Sequence, residues 1–210
     1  MVREIDVWFT MASTYTYLTV TRLPQVEREC GITFRWRPFH LVAILREMKH
    51  VPFADKPAKS ADMWRDITRR ATLYGLALKL PVPYPPKNAA RANRIASLGL
   101  EQKWGRDFVR ASYRRWFEHG DPNGDEPNVS ETLRAIGQDA ARVIALADRP
   151  EREQLLVAET DVARSLGIFG SPTFSFGSEL FWGDDRLEDA IAWATRGTLA
   201  PDEPVACRAE

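Results

Sequence analysis

Residues 5–18 read IDVWFTMASTYTYL, and the order of those residues decides the fold. Ile5 to Phe9 is dense in β-branched and aromatic side chains and short enough for a buried strand. Thr10, Ser13 and Thr14 follow at once with hydroxyls suited to opening a helix. Tyr15, Leu18, Thr19 and Leu23 then recur at helical spacing. Pro24 predicts a kink or a boundary in that helix, and Gly31 is the residue expected just past its end. Residues 32–38 alternate apolar and polar and read as a second strand. Strand, helix and strand at this spacing demand a right-handed parallel crossover.

Working outward, residues 173–176 and 179–182 predict a hairpin turning at Gly177 and Ser178. A last helix runs through Leu187, Ala190, Ile191 and Ala194 to Gly197, with Asp184 or Asp185 as its cap. Between about 41 and 166 the pattern is helical: 63–75, ended by glycine; 89–104; 108–117; a stretch opening at Ser130; and one from Pro150 to Leu166. Residues 80–86, LPVPYPP, predict a rigid extended polyproline link, and 120–127 a turn-rich loop. The chain is therefore expected to be α/β, with a thioredoxin-like core (βαβ…ββα) that carries an inserted all-helical domain. The division expected is 1–40 with 167–198 as one discontinuous domain, 41–166 as the helical insertion, and 199–210 as a tail.

Over 210 residues, 44% are hydrophobic and 28% charged, an ordinary globular balance. Lys and Arg number 29, as do Asp and Glu, so the basic excess of a nucleic-acid binder is missing. No apolar run approaches the roughly 20 residues of a membrane span. No leader pattern precedes the first strand, so the expected setting is the cytoplasm. Cys30 and Cys207 form no CxxC, and they exclude a metal site built on thiolates. His40, His50 and His119 lack ligand spacing, although His40 lies near the second strand. Arg106, Arg110, Arg114 and Arg115, with Asp107 and Glu118, read as a solvated helix face.

Three places carry chemistry. A helix N-terminus stabilises an anion such as a thiolate, yet positions 13–16 are Ser-Thr-Tyr-Thr, with no sulfur. Ser13 reads either as a simple cap or as part of an anion-stabilising helix end. Pro172, opening a strand, is either a turn proline or a cis proline that leaves the preceding backbone free for an extended peptide. Asp184 and Asp185 either cap the last helix or receive a ligand ammonium group.

Together these blocks resemble the glutathione-dependent 2-hydroxychromene-2-carboxylate isomerase family, kin of kappa-class glutathione transferases in the DsbA-like thioredoxin clan. The resemblance spans roughly residues 5–197. It rests on IDVWF (5–9) with ASTYTYL (12–18), PAK (57–59) leading to MWRD (63–66), YGL (74–76), and IFGSPTF (168–174) with LFWGDDRL (180–187). It implies glutathione as a recycled cofactor, whose thiolate adds to a conjugated aromatic substrate and is eliminated after ring opening and bond rotation. It implies Ser13 as the catalytic residue beside the sulfur. Ser171 and Pro172 would hold the cysteinyl unit, Asp184 and Asp185 the γ-glutamyl end. Lys59 would reach the tripeptide from the helical insertion, Trp182 lies close by, and Tyr84 would line the substrate pocket. A homodimer acting on a small aromatic carboxylate is implied as well.

The chain departs from the family at Thr10 and Thr14, where members often carry Asp and Pro. Residues 40–55 offer only Arg46 and Lys49 as cations for a substrate carboxylate. Two alternatives stand beside the isomerase: a kappa-like transferase that releases the conjugate, and a non-catalytic thioredoxin-fold binder. A dithiol oxidoreductase is disfavoured by the missing CxxC.

Overall fold

The computed structural model describes residues 3–50, 53 and 56–200. Strand β1 (Glu4–Phe9) lies centrally in a four-stranded sheet of order β2-β1-β3-β4. Its alternation assigns each side chain to a face: Ile5, Val7 and Phe9 enter the main core, while Trp8 enters a smaller one with Phe39, Ile44, Ala163 and Ile168. All four β1 side chains are fully buried, each such burial contributing roughly 1.5–3 kcal/mol. Helix α1 (Thr14–Cys30) returns the chain to β2 (Thr33–Pro38), which pairs parallel with β1 from Glu4↔Thr33 to Phe9↔Pro38. The hairpin falls where it is expected. Strand β3 (Thr173–Phe176) pairs antiparallel with β1, and β4 (Glu179–Trp182) closes the sheet.

Pro24 does not end α1, which runs through it to a left-handed Gly31 cap. The proline removes one N–H donor, but Tyr17, Leu18, Val20 and Leu23 are buried around the helix and hold it in place.

The regular elements among the described residues of the central segment are helices: α2 (Leu41–Glu47), α3 (Pro57–Leu73), α4 (Ala89–Glu101), α5 (Gly105–Arg114), α6 (Asn128–Ala135), α7 (Ala140–Ala147) and α8 (Pro150–Ser165). A π-turn, Arg115–His119, extends α5. Helix α7 is not anticipated by the sequence reading, and α6 opens two residues before Ser130. The link at 80–86 is not a uniform polyproline helix, because the bonds before Pro81 and Pro85 are cis. Nor is the arginine face merely solvated. Arg106 donates to both carboxylate oxygens of Glu27 and to the Phe34 carbonyl, and it covers the Trp36 ring. Helices α4 and α5 approach closely: a Cβ on Gly99 would lie 2.7 Å from the Gly105 backbone. That contact brings Asn93 of α4 and Tyr113 of α5 beneath the loop that joins β1 to α1.

A short 3-10 turn (Asp184–Arg186) leads into α9 (Leu187–Arg196), which ends at left-handed Gly197. Neither aspartate caps α9. Its N-cap is Arg186, which makes no side-chain capping bond. Cys30 packs at the border of the main core, and Cys207 lies outside the described residues.

Candidate active site

The site forms where α1 begins. Ser13 is the N-cap, with extended backbone (φ −88°, ψ 127°), and its Oγ accepts the Thr16 N–H at 3.3 Å. The same hydroxyl donates to the Ser171 carbonyl at 2.8 Å. No acidic residue occupies the first turn of α1, so nothing there neutralises the positive helix end. The N–H groups of Thr14 and Tyr15 have no acceptor within the helix.

A buried polar network fixes this loop. Thr10 N–H donates to Ser171 Oγ at 3.0 Å, and that oxygen lies 2.9 Å from Thr16 Oγ1. Asn93 Oδ1 accepts the Met11 N–H at 2.8 Å, while its amide donates to Thr10 Oγ1 and to the Phe39 carbonyl. Asn123 donates to the Met11 carbonyl at 2.9 Å. The Tyr113 hydroxyl serves the carbonyls of Thr10 and Ser13 at 2.9 and 3.1 Å. Complete burial raises the Tyr113 phenol well above its ordinary pKa, so it stays a proton donor. Sequence reasoning missed Asn93, Tyr113 and Asn123. For Asn93 and Tyr113 the available signal was a polar group within otherwise apolar helical stripes; Asn123, in the loop before α6, carried none.

Ser171 precedes Pro172 through a cis bond. Among the described residues its N–H has no backbone partner. The Gly183 N–H donates to the Pro172 carbonyl at 2.9 Å, so the Asp184–Asp185 turn begins beside that proline. The two aspartates then part. Asp184 is 1% exposed and accepts from Thr19 at 2.8 Å and Tyr74 at 2.9 Å, with Arg22 at 3.7 Å and Arg70 at 3.9 Å. Burial raises its pKa, while the hydroxyl bonds and the two arginines oppose the rise. The Asp185 side chain is 45% exposed, near Arg70 and Arg186.

The remaining expected residues lie around this centre. Trp182 ends β4 opposite Thr173, over half exposed, with Phe169 edge-on at 4.9 Å. A Cβ on Gly170 would strike the Trp182 ring, so the ring leans over the approach to Ser171. Lys59 is exposed on α3, with its Nζ 5.6 Å from the Phe53 ring centre. One turn along α3, the Met63 sulfur accepts from the Thr14 hydroxyl at 3.5 Å. Tyr84 joins an aromatic wall with Phe53, Trp64 and Trp116, at 6.0, 5.5 and 6.5 Å between centres. That wall continues through Trp116 to Tyr113, and so to Ser13. Burial pushes the Tyr84 phenol up to about 12. Of the sequence candidates, Ser13, Ser171, Pro172, Asp184 and Asp185 thus line one continuous stretch, with Trp182, Lys59 and Tyr84 around it. Arg46 and Lys49 are exposed near the end of α2. His40 heads α2, donates its N–H to Thr160, and has its imidazole pKa lowered by burial.

A thioredoxin-type scaffold that offers an anion-stabilising helix end and a proline-flanked backbone edge, without a thiol at that end, defines the class. The chain belongs to the DSBA-like thioredoxin domain family, whose model matches residues 4–191. It is 25% identical to a 2-hydroxychromene-2-carboxylate isomerase of Sphingobium xenophagum, over 90% of this chain and 96% of that one. It is 26% identical to glutathione S-transferase kappa 1 of Caenorhabditis elegans, over 88% and 87%. A solved 2-hydroxychromene-2-carboxylate isomerase superposes with a TM-score of 0.80 at 23% identity, covering 92% of this chain and 97% of that chain. The cytosolic disulfide reductase DsbM of Pseudomonas aeruginosa, solved with GSH, gives 0.62 at 13% identity, over 91% and 97%. These two structures speak for the fold. The curated relatives that it matches along most of their length are named as isomerases and glutathione transferases. Among the described residues no helix is long and apolar enough to cross a membrane.

Proposed function

We propose that this chain is a glutathione-dependent isomerase of the 2-hydroxychromene-2-carboxylate isomerase type, interconverting a cyclic chromene acid and its ring-opened benzylidenepyruvate. The observation that carries this reading is the Ser13 hydroxyl, held at the mouth of α1 by Thr16 and Ser171 where a dithiol enzyme would carry sulfur.

The donor set fits a bound thiol tripeptide. The Ser171 N–H and carbonyl offer an edge for the cysteinyl unit, and Asp185 offers an exposed carboxylate for an ammonium group, with Asp184 buried behind it. Ser13 and Thr19, which bonds Asp184, lie about 9 Å apart along the helix axis. An extended tripeptide spans roughly 10 Å. Held by Ser171, Asp185 and the end of α1, glutathione would supply a thiolate nucleophile for the conjugated substrate and would be recovered unchanged. Ser13 turns its hydroxyl from the Ser171 carbonyl to that sulfur, and the helix end favours the anion. Lys59, exposed on α3, reaches the tripeptide from the helical segment. Tyr84, Trp64 and Phe53 form a flat wall for the aromatic ring, with Tyr84 protonated throughout the working pH range. Trp182 shields the sulfur side from water. The same reading puts the chain in the cytoplasm as a homodimer.

Incubation with a chromene acid and sub-stoichiometric glutathione tests the reading. Isomer should accumulate over many turnovers while the glutathione concentration stays constant, and Ser13→Ala should depress the rate. Full turnover without glutathione contradicts it. A stable conjugate with a generic aryl halide and no isomer from the chromene acid assigns the chain to the kappa-like branch instead, which the curated relatives also support.

A further inference from the structure

We infer that Tyr113, a fully buried phenol of α5, is a positioning residue for the thiolate site and acts on it through the peptide that joins Ser13 to Thr14. The inference rests on the glutathione reading and adds to it a residue too enclosed to touch either the tripeptide or the substrate.

Residues 10–13 form the turn that delivers the chain into α1, closed by the Ser13 N–H on the Thr10 carbonyl at 3.1 Å. The Tyr113 hydroxyl bridges both ends of that turn, at 2.9 Å from the Thr10 carbonyl and 3.1 Å from the Ser13 carbonyl. A phenol carries one proton, so the two carbonyls share it. The ring is locked among aromatic neighbours, 6.0 Å from Trp116, 6.2 Å from Tyr17 and 6.5 Å from Phe117 between centres. Burial holds the phenol protonated, against an opposing effect of the Thr16 hydroxyl. The donor is therefore fixed in place and keeps its proton across the working pH range.

This bridge bears on the mouth of α1 in two ways. When the Ser13 hydroxyl turns from the Ser171 carbonyl to a foreign sulfur, one tie across the site is given up. The Thr10 and Tyr113 bonds still hold the Ser13 backbone where it was. The second effect is electronic. The Ser13 carbonyl and the Thr14 N–H are the two ends of one peptide group, and that N–H is the first of the open donors at the helix end. Among the described residues it has no backbone partner. Hydrogen bonds in series polarise one another, so a phenol proton on the Ser13 oxygen makes the Thr14 N–H a stronger donor toward an anion.

The test follows the ionisation of protein-bound glutathione, by thiolate absorbance against pH, in the wild type and three variants. Tyr113→Phe keeps the buried ring and removes the proton. Below the midpoint of the bound thiol it should lower the thiolate fraction by about 2- to 10-fold, the scale of one neutral hydrogen bond. Its kcat should fall by a similar factor while KM for the chromene acid stays within about twofold of wild type. Tyr113→3-fluorotyrosine keeps the hydroxyl and makes it more acidic, so it should raise the thiolate fraction above wild type. Tyr17→Phe is the structural control. It removes a buried hydroxyl of the same aromatic cluster, one bonded to the Ala77 carbonyl at 2.7 Å and not to the turn, and should leave the thiolate fraction unchanged. An unchanged thiolate fraction in Tyr113→Phe, or equal losses in Tyr17→Phe and Tyr113→Phe, overturns the inference while leaving glutathione binding intact. So does a fluorotyrosine protein whose thiolate fraction is at or below that of wild type, a result that decides the matter even where Tyr113→Phe does not fold. A wild type that binds no glutathione overturns the functional reading, and this inference with it.

Discussion

The Ser13 hydroxyl donates to the Ser171 carbonyl at 2.8 Å across 158 residues of chain. One bond thereby joins the helix end to the edge that precedes Pro172. Removing it has two separable consequences. Ser13→Ala deletes the N-cap acceptor for Thr16, which costs about 1 kcal/mol of stability. The loss of a donor at a developing charge should lower turnover by roughly 100-fold, on the scale of other single-donor deletions. Chemical denaturation and steady-state kinetics read the two effects independently. Unchanged turnover in a folded variant contradicts the assignment of Ser13.

Asn93 bonds the Met11 N–H, Thr10 Oγ1 and the Phe39 carbonyl, all without solvent. Replacing it with alanine strands buried polar groups, each costing roughly 1–3 kcal/mol. Asn93→Ala should therefore be at least about 2 kcal/mol less stable, with a lower midpoint and an unchanged denaturant slope. A loss confined to a few tenths would mean that the loop does not depend on this residue.

Asp184 gives a signed pH dependence. Burial raises its folded-state pKa above the ordinary 3.8, so the folded protein holds that proton more tightly than the unfolded chain. Its contribution to stability is largest at low pH and declines as pH rises from about 3.8 through the raised folded value. The stability difference between wild type and Asp184→Asn should shift in favour of the asparagine variant across that window. Equilibrium unfolding at a series of pH values measures it, and a difference that is flat or of opposite slope refutes it.

Tyr84 titrates near 12 because it is buried among rings. A phenol that stays protonated cannot serve as a base between pH 6 and 10. Tyr84→Phe should leave the shape of the rate–pH profile unchanged and cost under about tenfold in kcat/KM, a single neutral hydrogen bond at most. Tyr84→Ala removes the wall itself and should raise KM further. Loss of an alkaline limb on Tyr84→Phe would show that the phenol does titrate.

The elements that frame the site were legible because they obey local rules. Alternation in β1, hydroxyls before α1, Gly31 and Gly197 in left-handed caps, and the Gly177–Ser178 turn are all written in neighbouring residues. What holds the site is not local. Asn93, Tyr113 and Asn123 reach the loop across 82 to 112 residues, and nothing near them in sequence marks the contact. The two aspartates looked alike because adjacency hides depth: Thr19, Tyr74 and the arginines of α1 and α3 enclose Asp184 and leave Asp185 at the surface. As a boundary Pro24 misled for the opposite reason, since burial of its helix outweighs a local rule. At residues 80–86 the proline spacing marked a link between helices but not the isomer of each bond.

The central claim is that a foreign thiol becomes an anion at the mouth of α1 because Ser13 and the helix end stabilise it. Thiolate absorbance of protein-bound glutathione, followed against pH in wild type and Ser13→Ala, tests this most directly. The account predicts a bound thiol that ionises well below the unperturbed value of about 8.5, and an upward shift when the serine hydroxyl is removed. A bound thiol that titrates like the free one, or identically in both proteins, would contradict it.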